Sequence, residues 1–327
     1  MAEADGTTEL VLRCRVRARE AGLSLLAFLA QRFRYVSREG WDRAIREGRV
    51  TVDGRRVEGR TPLRAGVEIA TRQSLREPAA PTDVRIVHDA CGVLVVDKPA
   101  GLPFHADGAF VPRTLVAVLR ARLGEGLLPL QRLDRETSGL CLFARDATTA
   151  RALRAAIDAG ALDKRYDAIV HGRVAVADGV LDGWIGRAHG SSITLRRGIV
   201  PPHEPGAQSA RTEFAVIARG DATSLLRCRL VTGRTHQLRV HLEGAGHPIV
   251  GDKLYGRSDD EYLAWVAHVK AGGDAAWGGR LGAARQLLHA ASLRVPALAA
   301  SPALALTAPW PDDFAVAARA AGPAPAP

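Results

Sequence analysis

Four polar segments interrupt the apolar runs of this 327-residue chain with groups able to do chemistry. The first is Gln131-Arg132-Leu133-Asp134-Arg135-Glu136-Thr137-Ser138-Gly139, a turn that carries a carboxylate and two hydroxyls before Leu140, Leu142 and Phe143 resume the apolar pattern. A carboxylate kept ionised beside a substrate can act as nucleophile or base. An aspartate in such a turn is, by itself, more often a cap for nearby backbone N–H groups. The second segment, Lys164–Val170, opens a strand with Tyr166, whose ring can pack in a core or stack on a flat base. The third, Thr232–His241, gathers Arg234, His236, Gln237 and Arg239 where a turn enters a helix. These groups can bind a phosphate or a base edge, or form surface ion pairs. His236 and His241 stand at i, i+5 and do not share a helical face, so zinc is not expected. The fourth, Gly246–Gly256, is dense in turn residues and is expected to be structural or to shape a pocket wall.

Several function classes find no footing. No G-x-x-x-x-G-K-[ST] loop or complete G-x-G-x-x-G is present, so a nucleotide cofactor has no support. Cys14, Cys91, Cys141 and Cys228 are widely spaced, which suggests neither a zinc site nor a disulfide framework. Reduced thiols in a cytoplasmic protein are the expectation. MAEADGTTEL does not read as a signal peptide, and no apolar run reaches the length of a membrane span. The net charge of +10 favours polyanionic partners. With four lysines among 45 basic residues, a solvated arginine-rich surface is an equally good reading of the total. Position says more, since residues 1–80 hold 16 Lys/Arg against 11 Asp/Glu.

The elements that must position these groups fall into two bodies. Leu25, Phe28, Leu29 and Phe33 recur at helical spacing. Ser37 can cap a second helix, with Trp41, Ala44 and Ile45 on its apolar face and Gly48 at its end. Arg38, Arg43 and Arg46 are left to its other faces. Asp53-Gly54 between Arg49–Val52 and Arg55–Val57 predicts a hairpin with a type I′ turn, with arginines on both strands. Residues 76–82, with two prolines, read as a linker. From 83 to 314, strands are expected at Val84–Val87, Val93–Val96, Arg165–Val170, Arg211–Ile217 and Leu225–Val231, and helices at Thr114–Leu123 and Thr148–Ile157. Strands outnumber helices without regular alternation, which predicts an α+β fold with a mixed or antiparallel sheet. The alanine- and proline-rich residues 315–327 are expected to be disordered.

Together the segments resemble the RluA-type pseudouridine synthases. QRLDRETSGL is similar to that family's catalytic motif, with Gln131 where a histidine is usual. KRYDAIVHG, GRTHQLRVHL, GHPIVGDKLYG, the early Lys98-Pro99-Ala100-Gly101-Leu102 and the late Leu288-His289-Ala290 follow in the family's order. Residues 23–69 separately resemble an S4 RNA-binding module. The resemblance implies an S4-like domain over 1–75 and a pseudouridine synthase domain over 83–314. It implies a cofactor-free isomerase with Asp134 as the indispensable carboxylate, Arg239 keeping it ionised and Tyr166 on the target base. Arg132 would fill the space of a flipped uridine. Arg234, His236 and Gln237 would position the RNA or the motif turn, and Arg38, Arg43 and Arg49 would contact the RNA backbone. Large-subunit ribosomal RNA is the first expected substrate and transfer RNA the second, for a monomer with no membrane association. A non-catalytic RNA-binding protein on the same fold would be expected to lack Asp134, Arg239 or Tyr166, and all are present. An aspartate-based hydrolase would need a second base, for which Glu136 is the one nearby candidate.

Overall fold

The computed structural model describes residues 7–33, 36–76, 78–106 and 112–322. The chain divides into two compact units, Met1–Ala79 with Ala106–Val111 and Ala80–His105 with Pro112–Pro327. Residues 78–84 form neither helix nor strand, and Glu77 lies outside the described residues.

The first unit contains β1 (Thr7–Arg15), α1 (Leu25–Arg32), α2 (Arg38–Arg46), β2 (Val50–Val52) and β3 (Glu68–Arg76). Ser24 and Ser37 cap the two helices by accepting from the backbone N–H groups of Ala27 and Gly40. Leu25, Phe28, Leu29, Trp41, Ala44 and Ile45 enclose one core. Asp53 and Gly54 take φ of 47° and 78°, as a type I′ turn requires. The expected second hairpin strand is absent, however. Beyond the single bridge Val52↔Arg55, β2 pairs with β3, and β1 pairs with the other edge of β3. Arg55 and Arg56 are exposed and Val57 alone leans inward, so residues 55–57 have no buried face with which to hold a strand. In β1, Leu12 and Cys14 alternate with exposed Val11, Arg13 and Arg15, the period-2 pattern of a half-buried strand.

The second unit carries, in order, β4 (Arg85–Ala90), β5 (Val93–Lys98), α3 (Leu115–Leu123), β6 (Leu128–Pro129), β7 (Ser138–Ala144), α4 (Ala147–Asp158), β8 (Asp163–His171), β9 (Asp178–Arg187), β10 (Arg197–Ile199), β11 (Gln208–Arg219), β12 (Thr223–Leu230), α5 (Gln237–Gly244), α6 (Asp259–Lys270), β13 (Leu288–Val295), β14 (Leu304–Thr307) and α7 (Asp312–Ala320). Its strands form one sheet, ordered β10-β9-β11-β12-β8-β13-β7-β5-β4, with β14 on β13 and β6 on β7. All pairings are antiparallel except β13 with β7, so the sheet is mixed and the fold is α+β. β7 is buried along its whole length and Val93–Val96 of β5 are buried on both faces, which explains their unbroken apolar sequence. On β8, Tyr166, Ala168 and Val170 enter the larger core, while Ile169 enters a smaller core that includes α7.

That helix corrects the expected disordered tail. Asp312 and Asp313 favour the positive end of a helix, and Phe314, Ala318 and Ala321 recur on one face that is buried. Alanine content here serves helix formation rather than disorder. Residues 323–327 of that segment lie outside the described residues.

Candidate active site

Asp134 occupies the turn just before β7, closed by the Thr137 N–H donating to the Asp134 carbonyl at 3.1 Å. Because β7 and β13 run parallel, with Ser138 beside His289, the residues leading into each strand lie together. Gln286 therefore reaches the turn, its amide donating to Thr137 Oγ1 at 2.7 Å and its backbone N–H to Glu136 Oε2 at 3.1 Å. Lys253 Nζ donates to the same Glu136 oxygen at 2.6 Å. Glu136 is thus an anchor of the turn and not a free base for hydrolysis. Gly139 permits the close strand contact, since at its φ of 108° a Cβ would collide with the Ala290 carbonyl. Gln131 also has a local part: its amide donates to the Leu140 carbonyl at 3.2 Å across the turn.

Lys98 fixes the turn from beneath. It is fully buried, and its Nζ donates to the carbonyls of Pro99, Leu102 and Arg135, each at 2.9 Å. Burial pushes its ammonium down to about 8, yet it stays charged at neutral pH. Lys98→Met would leave these carbonyls without their donor. It is expected to lower unfolding free energy by roughly 2–3 kcal/mol, read by denaturant titration.

Arg239 comes from the first turn of α5. The segment before it is held by Gln237, whose side-chain oxygen accepts from Thr232 Oγ1 at 2.7 Å and the Arg234 N–H at 3.0 Å. Its amide nitrogen donates to the Arg211 carbonyl and to Thr212 Oγ1, both at 3.0 Å. Gln237 is buried and both ends of its amide are occupied, so of the two roles open to it, it positions this turn rather than meeting RNA. His236 begins α5 in the left-handed region at φ 58°, with Nδ1 2.9 Å from the Tyr255 hydroxyl.

The guanidinium of Arg239 joins two carboxylates. Its Nη1 donates to Asp134 Oδ2 at 2.8 Å, while Nε and Nη2 donate to the two oxygens of Asp252 at 2.6 and 2.9 Å. Asp252 is sealed from solvent, and its Oδ1 also accepts from the backbone N–H groups of Leu254 and Tyr255. Arg239 further lies 4.7 Å from the Tyr255 ring centroid, a cation–π contact. Asp134 is the open member, with 32% of its side chain exposed against 10% for Arg239 and 0% for Asp252. The bidentate pair with Asp252 aims the guanidinium, leaving one nitrogen for Asp134.

Electrostatics follow from this geometry. Burial alone would raise the Asp134 carboxyl, but the charge and hydrogen bond of Arg239 hold it below its ordinary value. Asp252 is lowered in the same way, against its own burial penalty. His236 lies 3.9 Å from Asp134, but burial and then Arg239 push it down to about 4, so it is neutral at pH 7. Arg239 is therefore the positive charge that keeps Asp134 an anion.

Tyr166 lies in the same core as Leu133, 6% exposed, and its hydroxyl makes no hydrogen bond with a described residue. Burial raises its phenol, which stays protonated. Arg132 is exposed two residues before Asp134 in the chain. Arg234 is half-buried, its Nε donating to the Ser209 carbonyl at 2.9 Å. Arg38 and Arg43 are exposed on α2 of the first unit, and Arg49 there pairs with Glu47 at 2.6 Å. Sequence reading passed over Asp252 and Tyr255, both inside the fourth polar segment. Their signal was the polar Gly251-Asp252-Lys253 set between apolar residues.

This combination of mixed sheet and clamped carboxylate places the chain in a known structural class. It matches the solved structure of human RNA pseudouridylate synthase domain containing 1 with a TM-score of 0.55 and 25% identity, over 76% of this chain and 100% of that one. A sequence model of the family described as RNA pseudouridylate synthase matches residues 92–244. The ribosomal large subunit pseudouridine synthase D of Xanthomonas campestris pv. campestris is 32% identical over 303 residues, covering 90% of this chain and 87% of that protein. The chain belongs to the RNA pseudouridine synthase family, whose members are isomerases. RNA pseudouridine synthase 7 of Arabidopsis thaliana is 34% identical over 245 residues, 73% of this chain. The mitochondrial tRNA pseudouridine(32) synthase of Saccharomyces cerevisiae is 30% identical over 264 residues, 80% of this chain. This chain spans 62% of the length of the plant protein and 55% of the yeast one.

Proposed function

We propose that this protein isomerises uridine to pseudouridine in structured RNA. The single observation that carries this is the Asp134–Arg239–Asp252 arrangement, in which the open carboxylate is the one left to act. The reaction breaks the N1–C1′ bond, forms C5–C1′, moves a proton off C5 and places one on N1. It requires no redox partner and no water. A base within a helix is out of reach, so the target uridine is unstacked into the site. Asp134 acts on the nucleotide as an anion, Tyr166 packs against the base, and Arg132 occupies the vacated space. Arg234 and His236 line the approach.

The first unit serves in this reading as an S4-like RNA-binding module. Arg38, Arg43 and Arg49 would meet phosphates without reading sequence, while RNA shape and unpaired loops select the site. Large-subunit ribosomal RNA is the proposed substrate, supported by the relative aligned over most of its length. Transfer RNA is the second reading, supported by the yeast relative.

Purified protein is to be incubated with transcripts of both RNAs, and pseudouridine, which has the mass of uridine, located by mass spectrometry after carbodiimide labelling. Pseudouridine in ribosomal RNA is expected; formation in transfer RNA alone would reassign the substrate, and formation in neither would refute the function. In equilibrium RNA-binding titrations at several salt concentrations, Arg38→Glu with Arg43→Glu is expected to weaken RNA binding. Its salt slope should fall by about one per lost phosphate contact. An unchanged slope would remove the first unit from RNA binding.

A further inference from the structure

On β8 the residues alternate between faces, so Tyr166 and its neighbours Arg165 and Asp167 point to opposite sides of the sheet. The side away from Tyr166 holds a cavity of about 450 Å³, lined in part by Arg165, Asp167, Arg227, Arg294, Thr307 and Trp310. That volume is within the range of roughly 300–1,000 Å³ found for small-molecule sites. Its lining includes the guanidiniums of Arg165, Arg227 and Arg294; Asp167 pairs with Arg227 and Asp163 with Arg165, so three cations meet two carboxylates, an excess of positive charge.

Asp167 is already satisfied. Its side chain is 1% exposed, and it accepts from Arg227 Nε at 2.9 Å, Arg227 Nη2 at 3.2 Å and Trp310 Nε1 at 2.8 Å. It locks Arg227 in place and leaves Arg227 Nη1 uncommitted. Arg165 uses Nε on Asp163 at 3.0 Å, which leaves its terminal nitrogens to the cavity. Arg294 is exposed and has no hydrogen bond or ion pair with a described residue. Arg165 and Arg227 are each 43% exposed in the side chain, so their donors are reachable. The reaction proposed above uses none of these groups.

We propose that this cavity binds the phosphate group of a nucleotide. A phosphate monoester carries about −1.5 to −2 charge at pH 7 and offers three acceptor oxygens, which suits three lining guanidiniums that outnumber their carboxylate partners Asp167 and Asp163. A neutral ligand would leave that excess charge uncompensated. The lining includes Trp310, an apolar ring beside the cations, as a nucleotide site needs. That the phosphate belongs to a nucleotide rests on the RNA-modifying function proposed above. The source is either a free nucleotide or the terminal phosphate of an RNA.

The test is calorimetric titration of the full chain with AMP and with adenosine, alongside binding of a 5′-phosphorylated RNA and its 5′-hydroxyl counterpart. Arg294→Glu is the variant, because Arg294 is exposed and unpaired and its loss leaves no buried charge behind. The site predicts that AMP binds roughly tenfold or more tightly than adenosine, and that Arg294→Glu removes this advantage. If only the phosphorylated RNA loses affinity in Arg294→Glu, the site stands with RNA as its source. If neither AMP nor phosphorylated RNA responds to Arg294→Glu, the site is refuted. Asp134→Asn is expected to leave AMP binding unchanged, so failure of the isomerase function and failure of this site would be told apart.

Discussion

Asp252→Asn is expected to slow uridine conversion about a hundredfold, leave RNA affinity nearly intact, and destabilise the fold by about 3 kcal/mol. The reason lies in what asparagine presents to Arg239. Its one oxygen can still accept from the backbone N–H groups of Leu254 and Tyr255, as Asp252 Oδ1 does now. Its NH₂ would then face Arg239 Nε, which Asp252 Oδ2 now accepts, and donor would meet donor. Arg239 would lose its bidentate partner while buried, and a misaimed guanidinium no longer holds Asp134 in place. Because Asp252 is sealed from solvent it cannot touch RNA, so the loss should fall on turnover and not on binding. Single-turnover rates, equilibrium RNA binding and denaturant unfolding together read these effects. A variant with wild-type turnover would show that Arg239 is aimed by other groups.

The same network sets a pH dependence. Asp134 and Asp252 are both lowered from their ordinary values in the folded chain. The stability they contribute is therefore fully present above the unfolded carboxyl value of about 4. It is lost as pH falls below that, through their folded values. His236 is held at about 4 in the folded chain, so its contribution is lost as pH falls from the ordinary histidine value of about 6.5 toward 4.

Asp134 and Arg239 could be singled out from sequence because each lies in a distinctive polar run. Their meeting across 105 residues of chain is a product of topology that no local pattern contains. Asp252 shows the complementary limit. In sequence it is one of several turn residues; only the packing of its segment against α5 makes it the partner of Arg239. Gln237 shows another limit, since a polar residue in a basic run could serve the RNA or its own turn, and only burial with wholly internal partners decides for the turn. The choice of β3 over residues 55–57 as the partner of β2 depended on which segment had a buried face. Helix α7 was hidden because alanine-rich composition describes tails and helices alike. What separates them is the apolar face of Phe314, Ala318 and Ala321, which acquires meaning only against the core beneath it.

Replacing Asp134 by asparagine is the severest change the site allows with the least disturbance to the fold. Asparagine has the same size and keeps an oxygen that can accept from Arg239. The guanidinium remains neutralised by Asp252, so no buried charge is stranded. Folding and RNA binding are expected to survive. The amide is neither a nucleophile nor a base at neutral pH, and the rate should fall by at least about 10⁴-fold. The direct measurement is release of the C5 hydrogen from RNA carrying tritium at C5 of its uridines, with saturating wild-type or Asp134→Asn protein. The Asp134–Arg239–Asp252 site predicts release by the wild type and none above background by Asp134→Asn, although both bind the RNA. Release by Asp134→Asn at the wild-type rate would contradict it.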